Sequence, residues 1–217
     1  MAQLEFKVTQ DTLEEMRICR DELKAISVER VFQEWEKAMR CRKPSLFFHT
    51  LQKANLLEIH FPELEGSLLE TKMQTLDFCA TLTTKTELRF ASLVYELGEK
   101  IETLSNKLKI PNLWKKCGKL ASKEYKKAEN FEKMTPEEKV EWITKIEHSP
   151  VKLKGMESIM QSIKKTNQPM KFRKIGEQCL EMINGEYIKE KYGKTNHPLV
   201  GKLLEKERIL WMNQLDE

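Results

Sequence analysis

The sequence predicts an all-α fold. Apolar residues recur at three- and four-residue spacing almost throughout, and no alternating strand with a hairpin turn is visible. Eight glycines and seven prolines interrupt 217 residues, and they stand between periodic stretches, so they punctuate helices without forming linkers. Charged residues make up 33% of the chain, more than an average globular domain carries, which suits slender helical arrays with much surface.

Taken in order, a first helix starts at Thr9 or Asp11 and runs to about Ile26, with Leu13, Met16, Cys19 (or Arg20) and Leu23 on one face. Ser27 offers an N-cap to a second helix containing Val31, Trp35 and Met39. Pro44-Ser45 opens a third, SLFFHTLQKANLL, which stops before Phe61-Pro62. Beyond a junction at Gly66-Ser67, helices are expected at about 68–82 and 86–98, the second closed by Gly98. Another at about 99–108 ends at Ile110-Pro111, and a lysine-rich helix covers 112–128. Thr135-Pro136-Glu137-Glu138 combines a cap, proline at the first helical position and first-turn acids, so a helix starts there and ends before Pro150. Helices at about 152–165 and 170–183 follow. Asn184-Gly185 and Tyr192-Gly193 bound a short one, and Pro198 opens the last.

Several functional classes are excluded as expectations. No run of 18 apolar residues could span a membrane, and the N-terminal MAQLEFKVTQ lacks the basic and apolar regions of a secretory signal. Five lone cysteines (Cys19, Cys41, Cys79, Cys117 and Cys179) without a CxxC pattern point to a reducing, cytoplasmic compartment. They read as small buried hydrophobes, with zinc or redox chemistry as the alternative. His49, His60, His148 and His197 have no metal-ligand spacing, so no metal or other cofactor is expected.

Charge is unevenly distributed. Residues 1–98 carry 13 basic against 16 acidic residues, and residues 99–217 carry 25 against 18. Nine lysines but only Glu102 and Glu124 fall within 100–127. Lys115, Lys119, Lys123 and Lys126 share one helix face, where like charges repel and a polyanion would relieve the cost; Lys116 and Lys127 adjoin them. Lys164, Lys165, Lys171, Arg173 and Lys174 cluster around Pro169. Either the lysines meet RNA phosphates, which they neutralise without base readout, or they form a solvated face. Trp114, Tyr125, Phe131 and Phe172 are interleaved with them, as core anchors or as base-stacking platforms.

Three stretches resemble the neck, body and tail of bacterial CCA-adding tRNA nucleotidyltransferases and their poly(A) polymerase relatives. Ile26-Ser27-Val28-Glu29-Arg30-Val31, with Glu34, looks like the family's neck motif and continues through Pro44-Ser45-Leu46-Phe47-Phe48 to Phe61-Pro62-Glu63-Leu64. The resemblance implies that Ser27, Glu29, Arg30 and Glu34 brace the neck helices. Arg89-Phe90-Ala91-Ser92-Leu93-Val94-Tyr95-Glu96-Leu97-Gly98 resembles the HD signature RFAxLxHDLGK of longer members. Tyr95-Glu96 stands in place of its His-Asp pair, and Thr71 in place of the earlier histidine. Tyrosine and threonine are poor ligands for a divalent metal, and one glutamate cannot hold it alone. The tail, from Ile183-Asn184-Gly185 through Gly193 to Pro198-Leu199-Val200-Gly201-Lys202-Leu203-Leu204, is similar to the family's terminal pattern. Gly201 near a helix N-terminus would let a phosphate approach free N–H groups, with Lys202 adding charge.

The resemblance implies an elongated array of neck (1–64), body (65–150) and tail (151–217). Neither the Gly-Ser/Gly loop nor the Asp-x-Asp pair of the family's catalytic head occurs in the chain. The expected function is therefore non-catalytic binding of tRNA or another structured RNA. The alternatives are the RNA-gripping part of an enzyme whose head is a separate chain or a missing segment, and a protein–protein adaptor.

Overall fold

The structure, a computed structural model, describes residues 8–66, 68–193 and 197–216. These form fourteen α-helices and two 3-10 turns, with no strand among the described residues. The helices are α1 (Gln10–Ile18), α2 (Arg20–Lys24), α3 (Val28–Met39), α4 (Ser45–Lys53), α5 (Leu57–His60), α6 (Leu69–Leu82) and α7 (Thr86–Val94), then α8 (Lys100–Lys107), α9 (Asn112–Glu129), α10 (Pro136–Glu147), α11 (Lys152–Lys164), α12 (Lys171–Met182), α13 (Gly185–Tyr192) and α14 (His197–Asp216). The accessible surface is 12726 Å². A compact protein of this mass exposes about 10,400 Å², so the all-α array is extended, as expected.

Helix starts follow the sequence closely, because a cap is a local device. The Thr9, Ser27 and Asn184 side chains accept the first free N–H groups of α1, α3 and α13. Thr135 and Glu138 form a reciprocal capping box at α10.

Helix stops depart from it. The first helix is broken at Cys19 into α1 and α2. The third breaks after Lys53, where Asn55 takes a left-handed conformation (φ 57°) and the Leu56 N–H donates back to the Leu51 carbonyl at 2.8 Å. α8 and α11 end the same way, with Lys109 and Lys165 (both φ 50°) in the place usually held by glycine. The Ile110 N–H reaches the Ser105 carbonyl at 2.9 Å, and the Thr166 N–H reaches Gln161 at 3.0 Å. No glycine marks these stops, and the sequence does not announce the break after Lys53, whereas α8 and α11 end about where it places their ends. α7 ends at Val94, not at Gly98, because the Leu97 N–H closes a tight turn onto the Val94 carbonyl and the left-handed Gly98 turns the chain into α8.

Two principal cores form. In one, Trp35 is fully buried and meets Phe48, Phe61, Phe90 and Trp114 edge-on at centroid distances of 5.0–6.1 Å. The apolar residues of the neck-like stretch thus build this core, together with Leu93 and Val94 of α7 and Ile101 and Leu104 of α8. The other gathers Leu88 and Ala91 of α7 and Tyr95 just after it, Cys117 and Ala121 of α9, and apolar residues of α10, α11, α12 and α14. α7 and α9 therefore belong to both cores. They approach closely because Gly118 leaves room for Phe90 and Val94; a Cβ there would lie 2.8 Å from the Phe90 ring.

Of the cysteines, Cys79, Cys117 and Cys179 are buried, in line with the small-hydrophobe reading, whereas Cys19 is exposed and Cys41 half-buried. Burial pushes the Cys117 thiol up to about 12 and Cys179 to about 11, which leaves them uncharged at neutral pH.

Candidate nucleic-acid interface

The neck motif is held by short-range and long-range contacts together. The Ser27 hydroxyl accepts the Arg30 N–H at 3.4 Å, and Glu29 pairs with Lys109 at the α8–α9 junction, bracing the start of α3. Glu34 pairs with Lys37 one turn on at 2.8 Å, and exposed Arg30 makes no ion pair among the described residues. The N-terminus of α4 is fixed by Asp77 of α6, which accepts the Ser45 N–H at 3.0 Å and its hydroxyl at 2.6 Å.

Arg89 was legible in the sequence only as part of a motif. In the fold it is 4% exposed and joins the neck-like helices to the next. Its guanidinium donates to the Met39 and Cys41 carbonyls at 2.6 and 2.8 Å, at the end of α3, and to Ala80 and Thr83 at 3.0 and 2.8 Å, at the end of α6. No carboxylate takes part. The negative ends of two helices serve as the counter-charge instead.

The HD-like positions differ in burial. Tyr95 is buried, edge-on to Tyr125 at 5.1 Å, and burial together with nearby Glu96 pushes its hydroxyl up to about 12. Thr71 and Glu96 are exposed. Burial lowers the pKa of Lys72, next to Thr71, and the negative field of Glu96 opposes that shift. Among the described residues, no three His, Cys, Asp or Glu side chains converge as a metal site.

The basic residues divide into tied and untied sets. Lys115 and Lys119 both clamp Glu102 of α8 and hold its carboxyl down to about 2. The repulsion expected along α9 is thus partly relieved within the protein, a pairing hidden from a single-helix reading. Lys164 lies 3.8 Å from Glu129, Lys165 bonds Gln74, and Lys171 pairs with Glu132. Arg173 is half-buried against Glu157 and Glu177, where Glu157 also accepts the Met170 N–H at 3.0 Å, so this arginine locks α12 to α11. Lys116, Lys123, Lys126, Lys127, Lys174 and Lys202 are exposed, with no ion pair among the described residues. Lys116, Lys123, Lys126 and Lys127 all lie on α9, and Lys164 and Lys171 reach its C-terminal end through Glu129 and Glu132.

The core-anchor alternative holds for the aromatic residues, and the tail glycine sits deeper in its helix than expected. Trp114, Phe131 and Phe172 are core residues, and Tyr125 is half-buried on Tyr95, so none is a free stacking platform. Gly201 is the fifth residue of α14, beyond the first four N–H groups that a helix leaves unbonded, so its own amide is not one of the free donors. In the tail, Glu207 is the anchor. It accepts from the Tyr187 and Tyr192 hydroxyls and from Lys191, which hold its carboxyl down to about 2.

Residues 5–68, covering the braced α3 and the aromatic neck-like core, match the family described as "Probable RNA and SrmB- binding site of polymerase A". Over part of its length the chain is similar to members of the CCA-adding enzyme and poly(A) polymerase family. It is 27% identical to a multifunctional CCA protein of Mannheimia succiniciproducens, over 67% of this chain and 44% of that protein. It is 31% identical to one of Vibrio parahaemolyticus, over 46% and 28%, and 35% identical to a CCA-adding enzyme of Coxiella burnetii, over 50% and 29%. The chain thus spans less than half the length of the curated relatives it matches. No solved structure matches it. No helix among the described residues is long and apolar enough to cross a membrane.

Proposed function

We propose that the chain is a non-catalytic module that grips tRNA or another structured RNA, in which neck (1–64), body (65–150) and tail (151–217) play the parts they play in CCA-adding enzymes. The observation that carries this is α9, whose Lys116, Lys123, Lys126 and Lys127 hold no ion pair among the described residues beside a neck that matches an RNA-binding family. Lysines contact phosphates as point charges, so binding follows RNA shape and is salt-sensitive. In this reading the HD chemistry has been lost at Thr71, Tyr95 and Glu96. Two of these are poor ligands for a divalent metal, and one glutamate cannot hold it alone.

The test is fluorescence anisotropy with tRNA and with an unstructured RNA of equal length, from 50 to 200 mM salt. Replacing all four lysines by alanine should weaken tRNA binding and reduce the slope of log K against log salt by about 3. Unchanged affinity, or binding indifferent to salt, would sink the reading. Metal-dependent hydrolysis of a phosphodiester by the pure chain would overturn the non-catalytic part.

A second reading is favoured by length, since the matched relatives are more than twice as long as the matched stretch and bear enzyme names. Here the chain supplies the RNA grip to a catalytic head. Nucleotide addition by a separately purified head should then rise when the chain is added. No change would exclude this division of labour.

A further inference from the structure

A second cleft differs in character from the α9 face. It has a volume of about 450 Å³ and lies where the end of α6, the start of α7 and the start of α11 meet. Lys85, Lys152 and Lys154 line it, with Thr83, Thr84 and Ser158. All three lysines are exposed, and none makes an ion pair among the described residues. No carboxylate lines the cleft. Of the nearest acids, Glu147 is occupied by the Leu153 N–H at 3.2 Å, and Glu87 lies near buried Cys117. The cleft between α9 and α10 has no such bias, because Glu138 and Glu141 of α10 line it together with Lys126, Lys127 and Lys145.

The wall of the α6–α7–α11 cleft is preorganised. Arg89 pulls the Ala80 and Thr83 carbonyls inward from behind. A trans peptide sets its N–H opposite its carbonyl. The Thr84 N–H therefore points away from Arg89, and no described group accepts it. The Thr83 hydroxyl accepts the Lys85 N–H at 3.2 Å, which leaves its own hydrogen free to donate. On the opposite wall Lys152 is held left-handed (φ 57°), a conformation costly for a lysine and sustained only where the surroundings fix it. Gly155 lets α11 pack closely against Leu88 at this wall, since a Cβ there would lie 3.0 Å from the Leu88 side chain.

We propose that this cleft is a phosphate-binding site that takes the phosphodiester backbone of RNA. The three ammonium groups supply charge; Thr83 and the Thr84 amide supply directed donors. The site extends the RNA contact to a face outside the α9 lysines, and it rests on the RNA reading above.

The experiment uses the full chain and the variant Lys85→Gln/Lys152→Gly/Lys154→Gln. Lys152→Gly removes charge while relieving the left-handed strain, so the variant should unfold at the same urea concentration as the parent or higher. With tRNA at 100 mM salt, the variant should bind about tenfold more weakly, with a salt slope smaller by about 2. In parallel, inorganic phosphate is titrated into both ¹⁵N-labelled proteins. The Thr84, Lys85 and Gly155 amides should shift in the parent and not in the variant. A fall in RNA affinity without phosphate-induced shifts also supports the site and assigns it to the polymer. If the parent binds tRNA in a salt-dependent way and the variant matches it in affinity and slope, the cleft is not the site. If neither protein binds RNA, the RNA reading fails on its own, and phosphate decides the cleft: shifts in the parent retain it as a free-phosphate site, and still amides overturn it.

Discussion

Replacing Arg89 with methionine keeps most of the side-chain volume and deletes the guanidinium that closes two helix ends together. Four carbonyls lose a charged donor at 2.6–3.0 Å. Met39 is fully buried, so its carbonyl stays unsatisfied, at a cost of about 1–3 kcal/mol. Cys41, Ala80 and Thr83 are half-buried, and water reaches their carbonyls at roughly 0.5–1 kcal/mol each. Against this, the desolvation that depresses the arginine's own pKa is recovered. The balance is a loss of about 3 kcal/mol. With a urea m-value of about 2–3 kcal/mol/M, the unfolding midpoint should drop by about 1 M. Tryptophan fluorescence reads the transition, since Trp35 and Trp114 report on the aromatic core beside the clamp. Arg89→Lys separates charge from geometry. An ammonium cannot span four acceptors from one position, so lysine should fall much closer to methionine than to arginine. A lysine variant as stable as the parent, or a methionine variant less than about 1 kcal/mol weaker, would refute the clamp.

Gly118→Ala forces a Cβ to 2.8 Å from the Phe90 ring and 3.0 Å from Val94. Overpacking of about 1–3 kcal/mol outweighs a helix-propensity gain of about 1 kcal/mol, so the melting temperature should fall; a rise would mean that α7 and α9 can separate without cost. Acid should act through Glu102 and Glu207, both held from an ordinary 4.5 down to about 2 by their lysine partners. Because their folded values lie below the unfolded ones, the stability they add is complete above about pH 4.5 and is lost as pH falls towards 2. Urea midpoints at pH 5, 4 and 3 should decline, and Glu102→Gln or Glu207→Gln should flatten the decline. Equal steepness in parent and variants would contradict both pairings.

What the sequence disclosed and what it concealed divide along a physical line. Thr9, Ser27, Thr135 and Asn184 act on residues two or three positions away, so the helix starts they make are readable from short words. Lys109 and Lys165 end helices in a conformation that lysine usually avoids; Ile110-Pro111 announces the first of these stops, but the left-handed turn itself has no signal in the word. Arg89 acts on carbonyls up to 50 residues away, and Lys115 and Lys119 meet Glu102 on another helix. A face of free charge can be drawn on a helical wheel, but which charges are already spent depends on neighbours the wheel does not contain. The α6–α7–α11 cleft was hidden for the same reason, since Lys85 lies 67 residues before Lys152.

The two helices shared between cores have a consequence for how such a chain can be inherited. α7 offers Leu88 and Ala91 to one core and Phe90, Leu93 and Val94 to the other, and α9 does likewise with Cys117 and Trp114. A recombination breakpoint between residues 86 and 129 would set core residues of α7 and α9 from different parents against each other in both cores. Exchange of neck or tail between homologous genes is therefore tolerated only at junctions outside that wedge, and the wedge passes from gene to gene as one indivisible block.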